Sequence, residues 1–303
     1  MGALHQIILD TDIGSDVDDA LALALILGSP EAELLGVTTV YGDTLLRARL
    51  ARRFGKLAGQ DFPVYPGLGS PRSGKEVWWP GHEGSLHAGL ESESVESENA
   101  VPYLVRKVLE NPGEIDVVAI GPLTNIAAAL ESDPAFERNV RHLWIMGGGF
   151  GMAESEHNFR SDDQAARIVF ESKLSITVSG LEVTRQVEMG KEQLALIAAA
   201  GPLGQALNAD IRQWWAFWNE EWNVPHDPVT VLTLLRPDLF AFSNPGTVSI
   251  ACEGETAGLS TFAPSPGGRV RLVTAIDTEA VAAEISSRII DAGTRRFQEA
   301  DRR

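Results

Sequence analysis

The chain has 303 residues, 44% apolar and 22% charged, a composition typical of soluble globular proteins. A formal charge of −17 disfavours nucleic acid and anionic membrane surfaces as partners, and no apolar run approaches the ~18 to 20 residues of a membrane span. The single cysteine, Cys252, excludes an intrachain disulfide; with neither a basic n-region nor a long apolar stretch near the start, no secretory signal is expected and the cytosol is the expected location.

In chain order, Ile7 to Leu9 reads as a buried strand and Asp18 to Leu27 as a helix ended by Gly28, Ser29 and Pro30. Glu33 to Thr39 reads as the next strand, followed by a helix over Thr44 to Leu57 with Arg and Lys on its outer face. A short strand at Val64 to Pro66 leads into a glycine-rich segment, Gly67 to Gly89, which carries Trp78, Trp79 and His82. Glu91 to Glu98 (ESESVESE) lacks apolar periodicity and reads as a solvated loop.

The alternation resumes with a helix over Val101 to Leu109, strands at Ile115 to Ile120 and His142 to Met146, and helices at Ile126 to Leu130 and Gln164 to Phe170. Leu174 to Ser179 is a further strand, helices dominate Lys191 to Asn219, and another helix fits Pro228 to Leu235. Strands at Thr247 to Ala251 and Arg269 to Val273 precede a terminal helix, Thr278 to Ala292. This order predicts one α/β domain over residues 1–303: a mostly parallel central sheet flanked by helices, Rossmann-like, with ligands bound at the carboxyl ends of the strands.

The densest chemical signal falls at such a strand end. Asp10, Asp12, Asp16, Asp18 and Asp19 lie within ten positions. Two carboxylates ~4 to 5 Å apart repel by roughly 3 to 4 kcal/mol at an effective dielectric of ~20, so folding this cluster calls for a cation. An all-oxygen donor set suits a hard ion, Ca²⁺ or Mg²⁺. The plainer alternative is a solvated acidic turn at a helix N-terminus.

Asp10 to Ala20, Gly121-Pro122-Leu123-Thr124-Asn125, Gly147-Gly148-Gly149, Glu156-His157-Asn158 and His226-Asp227-Pro228, in that order and spacing, resemble the calcium-dependent nucleoside hydrolases of the inosine-uridine-preferring type. The resemblance implies an α/β fold, a nucleoside substrate, a homodimer or homotetramer, and Ca²⁺ holding a water and the ribose diol while the N-glycosidic bond breaks. It implies Asp12, Asp19, Asp227 and the Ile120 carbonyl as metal ligands, with Asp12 also taking the proton of the attacking water. It further implies His226 as the group assisting the leaving base, with Asp18, Glu156 and Asn158 on the sugar and His82 near the substrate.

The match is not complete. Two extra residues in the aspartate motif leave Asp16 and Asp18 competing for one role, and Asp10 reads as structural, fixing the loop through backbone hydrogen bonds. Asp43 stands where the family commonly has Asn, which shifts sugar preference, and Phe150 replaces an Asn and cannot donate to a 5′-hydroxyl. These departures favour an alternative, a metal-dependent nucleoside or sugar-binding protein, or a hydrolase of a modified N-riboside. A metal-dependent phosphohydrolase is a third class, opposed by the absence of Lys and Arg from Asp10 to Tyr41. Trp214, Trp218 and Trp222 repeat at i, i+4, i+8 as one helical stripe, which serves as core, subunit contact or, through Trp222 beside His226, a stacking surface for the base.

Overall fold

The computed structural model describes residues 4–300, with side chains through residue 294. The chain alternates β1 (His5–Thr11), α1 (Asp18–Gly28), β2 (Ala32–Thr39), α2 (Thr44–Leu57) and β3 (Val64–Pro66). The glycine-rich segment follows, then α3 (Ala100–Glu110), β4 (Ile115–Ala119), α4 (Thr124–Ser132), α5 (Pro134–Asn139) and β5 (His142–Met146). Next come α6 (His157–Ser161), α7 (Asp163–Glu171), β6 (Ile176–Ser179), α8 (Leu181–Thr184), α9 (Lys191–Ala198), α10 (Gly201–Trp218) and α11 (His226–Leu235). The chain closes with β7 (Phe240–Phe242), β8 (Gly246–Ile250), β9 (Ser260–Pro264), β10 (Val270–Ile276) and α12 (Thr278–Ala300).

The sheet runs β3-β2-β1-β4-β5-β6-β10-β8-β9, with β7 paired to β10. Every pairing from β3 through to β10 is parallel, while β7, β8 and β9 join antiparallel. Strand order reverses between β1 and β4, and a crevice opens at such a switch point outside the carboxyl ends of the strands. Asp10 pairs with Ala119 across it, so the loop after β1 and Ile120 after β4 lie side by side.

Two buried helices pack behind that edge. Every residue of α1 is buried, and so is α11 from Asp227 to Leu235, as expected of helices apolar on all sides. They pack on each other, with α12 against α1. A Cβ at Gly28 would lie 1.8 Å from the Arg288 carbonyl oxygen, so glycine is what lets α12 approach so closely. No helix among the described residues is long and apolar enough to cross a membrane.

Several sequence expectations need correction. The α5 helix and strands β7 and β9 were not anticipated: β7 is only Phe240–Phe242, and β9 ends on a proline, as an edge strand tolerates. The basic residues of α2 do not all face outward, because Arg47 is completely buried. The acidic loop is not wholly solvated: Glu93 turns inward to pair with Arg53 at 2.7 Å and Lys56 at 2.5 Å. Asp10 does fix the strand end, but through side-chain donors, Thr38 Oγ1 at 2.5 Å and Asn125 Nδ2 at 2.7 Å, since neighbouring strands already occupy the backbone groups. The tryptophan stripe is broken: α10 stops at Trp218, Asn219 takes a left-handed conformation (φ 57°), and Trp222 lies beyond it off the helix.

Candidate active site

Asp12 follows β1 directly, Asp18 and Asp19 open α1, and Asp227 is the second residue of α11. The carboxylates of Asp18, Asp19 and Asp227 thus meet at two helix N-termini, whose dipoles favour negative charge. One oxygen from each lies within 4.8 Å of the other two, and the Asp227 N–H donates to Asp18 Oδ2 at 3.3 Å. Exposures are 8% for Asp12, 4% for Asp18 and Asp19, and 3% for Asp227. A Cβ at position 121 would sit 2.7 Å from Asp12 Oδ1, so Gly121 makes room for that carboxylate.

Burial pushes the carboxyls of Asp12, Asp18, Asp19 and Asp227 above their ordinary range, and repulsion among the aspartates adds to this for Asp18, Asp19 and Asp227. Asp16 is pushed up to about 7, also first by burial, while the Val17 N–H opposes the rise by donating to it at 2.6 Å. Such a cluster, buried and made of hard oxygen donors, has the chemistry of a Ca²⁺ or Mg²⁺ cage rather than of a zinc site. Ile120 lines the same cavity, and its carbonyl presently accepts from Asn158 Nδ2 at 2.9 Å.

Arg47 is the counterweight that the sequence reading missed. Its Nε donates to the Tyr41 carbonyl at 2.6 Å, Nη1 to the Asp12 and Ile13 carbonyls (the latter at 2.9 Å), and Nη2 to Ser15 Oγ at 3.2 Å. The guanidinium also lies over the Trp79 ring, 4.8 Å from its centroid. Its charge lowers the carboxyls of Asp12 and Asp19 against the effect of burial. A pattern signal existed: Arg47, Leu50, Ala51 and Phe54 fall at i, i+3, i+4, i+7, placing the arginine on the apolar face.

The aspartates floor a cavity of about 440 Å³ that is also lined by Ile120, Glu156, Asn158 and His226. Glu156 caps α6, accepting from the N–H groups of Gly148 (3.0 Å), Asn158 (2.7 Å) and Phe159 (3.1 Å), which fix its orientation and oppose the upward push that burial gives its carboxyl. His226 is half-buried, and its Nδ1 lies 2.7 Å from Thr184 Oγ1. Burial, with the charge of Arg185, brings the His226 imidazole down to about 4. The ring is therefore neutral at pH 7, and the Thr184 hydroxyl, also 3.3 Å from the Gly180 carbonyl, decides which nitrogen carries the proton.

Four candidates lie outside this lining. Asp43 caps α2, accepting from the Leu46 N–H at 2.9 Å. Phe150 packs against the hydrophobic core on one face of the sheet. The His82 Nε2 sits 2.8 Å from the Ser15 carbonyl and braces the aspartate loop rather than the cavity. Trp222, 42% exposed, lines an adjoining cleft of about 510 Å³ shared with Trp214 and Trp218. Residues not anticipated at the cavity itself are Glu154, Arg160 and Arg185, which have no periodicity or motif signal, and His157, which lies inside the Glu156-His157-Asn158 motif but to which the resemblance gives no role of its own.

Residues 7–283 match the family profile described as inosine-uridine preferring nucleoside hydrolase. The chain is 31% identical to uridine nucleosidase 1 of Arabidopsis thaliana, over 85% of this chain and 82% of that protein. It is 30% identical to the pyrimidine-specific ribonucleoside hydrolase RihB of Escherichia coli, over 77% and 79% respectively. Among solved structures it superposes on a plant nucleoside hydrolase, PpNRh1, with a TM-score of 0.86 at 29% identity, over 94% of this chain and 99% of that one. It superposes on a purine-preferring ribonucleoside hydrolase from Gardnerella vaginalis with a TM-score of 0.82 at 25% identity, over 96% and 99%. Sequence, strand order and the carboxylate-floored crevice agree: the chain belongs to the inosine-uridine preferring nucleoside hydrolase family.

Proposed function

We propose that this protein hydrolyses the N-glycosidic bond of a ribonucleoside, releasing free base and ribose, with Ca²⁺ as the resident cation. The observation that carries the proposal is the convergence of Asp12, Asp18, Asp19 and Asp227, from distant parts of the chain, on one cavity floor. Asp12, Asp19, Asp227 and the Ile120 carbonyl would hold the ion. Bound there, Ca²⁺ supplies charge neutralisation and a means of orienting water and the ribose diol.

The chain's own residues do the rest. Breaking the C1′–N bond builds positive charge on the sugar, and the buried carboxylates of the floor stabilise that charge more than the neutral substrate. Asp12 is placed to take the proton of the attacking water. Asp18, Glu156 and Asn158 would receive ribose hydroxyls, and Trp214 and Trp218, which line the cavity and its neighbour, offer faces for the base. His226 enters as a neutral ring and would polarise the heterocycle through a hydrogen bond.

Asp43 and Phe150, which motivate a binding-only alternative, cap a helix and pack into the core, and so give it no support from the cavity. Against the phosphohydrolase class, Arg47, the cation bonded to the aspartate loop, is buried with its donors spent on Tyr41, Asp12, Ile13 and Ser15, and the two arginines that line the cavity, Arg160 and Arg185, come from other parts of the chain. The test is reducing-sugar release from a panel of purine and pyrimidine ribonucleosides in the presence of Ca²⁺. Release from at least one is expected; release from none sinks the hydrolase reading and promotes the binding protein.

A further inference from the structure

The cavity carries both signs of charge. Besides the aspartates of its floor and the carboxylates Glu154 and Glu156, two arginines, Arg160 and Arg185, line it. Of the two, Arg185 is tied to the leaving-group end by the chain itself. It directly follows Thr184, whose hydroxyl is the 2.7 Å partner of His226 Nδ1, and its charge is felt at the His226 ring. It also lines the adjoining cleft with Trp214 and Trp218, so it stands where the two clefts meet beside the indole faces. Its Nη1 pairs with Glu154 Oε1 at 2.6 Å, both side chains being about half exposed, and Glu154 lines the cavity too. An exposed pair of this kind contributes little to stability, so its members are free to exchange partners.

We propose that Arg185 is a further catalytic residue, a permanent cation that turns from Glu154 to stabilise the negative charge growing on the departing heterocycle; this rests on the hydrolase reading above. The step balances as follows. The C1′–N bond breaks and its electron pair passes to the ring nitrogen, giving an anionic base opposite Arg185. A water oxygen bonds to C1′ and its proton passes to Asp12. The base anion then takes a proton from solvent, and Asp12 returns its own. Carboxylates at the sugar and a guanidinium at the base together make the cavity complementary to a transition state in which positive and negative charge separate along the breaking bond. The planar fork of donors suits the oxygen-bearing edge onto which a uracil or 6-oxopurine anion spreads its charge.

The experiment compares uridine with 4-nitrophenyl β-D-ribofuranoside, whose leaving group needs little help, in the Ca²⁺-loaded full chain. Arg185→Met is expected to lower kcat/KM on uridine about 10- to 100-fold. On the nitrophenyl riboside its activity stays within about threefold of the parent, which also shows that the fold and the sugar machinery are intact. Arg185→Lys recovers part of the uridine activity because it keeps the charge. Glu154→Gln, which breaks the same ion pair but leaves the cation, keeps its uridine activity within about threefold or raises it. Equal losses on both substrates, no loss on either, or a Glu154→Gln loss as large as that of Arg185→Met would overturn the proposal. Failure of the parent chain on every nucleoside is a different result: it removes the hydrolase reading itself, and this inference with it.

Discussion

Asp12→Asn leaves the protein folded and lowers its turnover of uridine by about two to four orders of magnitude, the span that removal of a positioned general base produces. The amide has the shape of the carboxylate and fits beside Gly121, but it cannot accept the proton of water and is a weaker ligand for a cation. Its effect on stability has the opposite sign. Burial holds the Asp12 carboxyl above its ordinary value of 3.8, so without a cation the folded form binds this proton more tightly than the unfolded chain. The stability it contributes is full below about 4 and is lost as pH rises toward and through the folded value. At pH 7 the neutral amide avoids that loss, so metal-free Asp12→Asn melts no lower than the metal-free parent. Steady-state kinetics with thermal melts of both proteins checks this; undiminished turnover removes Asp12 as the base, and a collapse of the melt removes the view that its role is chemical.

Arg47→Met destabilises the protein by about 3 to 5 kcal/mol, the cost of removing one member of a buried, hydrogen-bonded charged network. Methionine fills much of the volume but donates nothing. The carbonyls of Tyr41, Asp12 and Ile13 and the Ser15 hydroxyl then lose their donor, at roughly 1 to 3 kcal/mol for each group left buried and unpaired. Asp12 and Asp19 lose their nearest positive charge at the same time. Arg47→Lys retains the charge and can reach only part of the network, so its loss is smaller. Urea unfolding of the three proteins decides the matter: a deficit under about 1 kcal/mol for Arg47→Met shows that the aspartate loop holds its shape without the guanidinium.

The parallel half of the fold was legible because buried parallel strands are short continuous apolar runs, as in Ile7 to Leu9 and Ile115 to Ala119, separated by helices of clear period. The antiparallel edge was less so: β7 and β9 are short and partly exposed, and tertiary pairing with β10 and β8 rather than composition makes them strands. In the site, the aspartates of α1 announced themselves by their density. That Asp227, 209 residues beyond Asp18, joins them could be read only through the family resemblance, since nothing local distinguishes it from other acids at helix starts. Arg47 was readable from its place at the head of an apolar stripe and was passed over because arginines usually face solvent. Trp222 shows the converse: a spacing that fits a helix says nothing where the backbone turns left-handed at Asn219.

The most direct test uses one preparation of the full chain, stripped of divalent ions with a chelator, dialysed, and divided before half is reloaded with Ca²⁺. Chromatography then measures free uracil and ribose formed from uridine. Equimolar uracil and ribose from the reloaded half alone is the result expected of a cation-dependent N-ribosyl hydrolase built on Asp12, Asp19 and Asp227. Equal release from both halves contradicts the role given to the carboxylate cluster, and release from neither contradicts the hydrolysis of uridine.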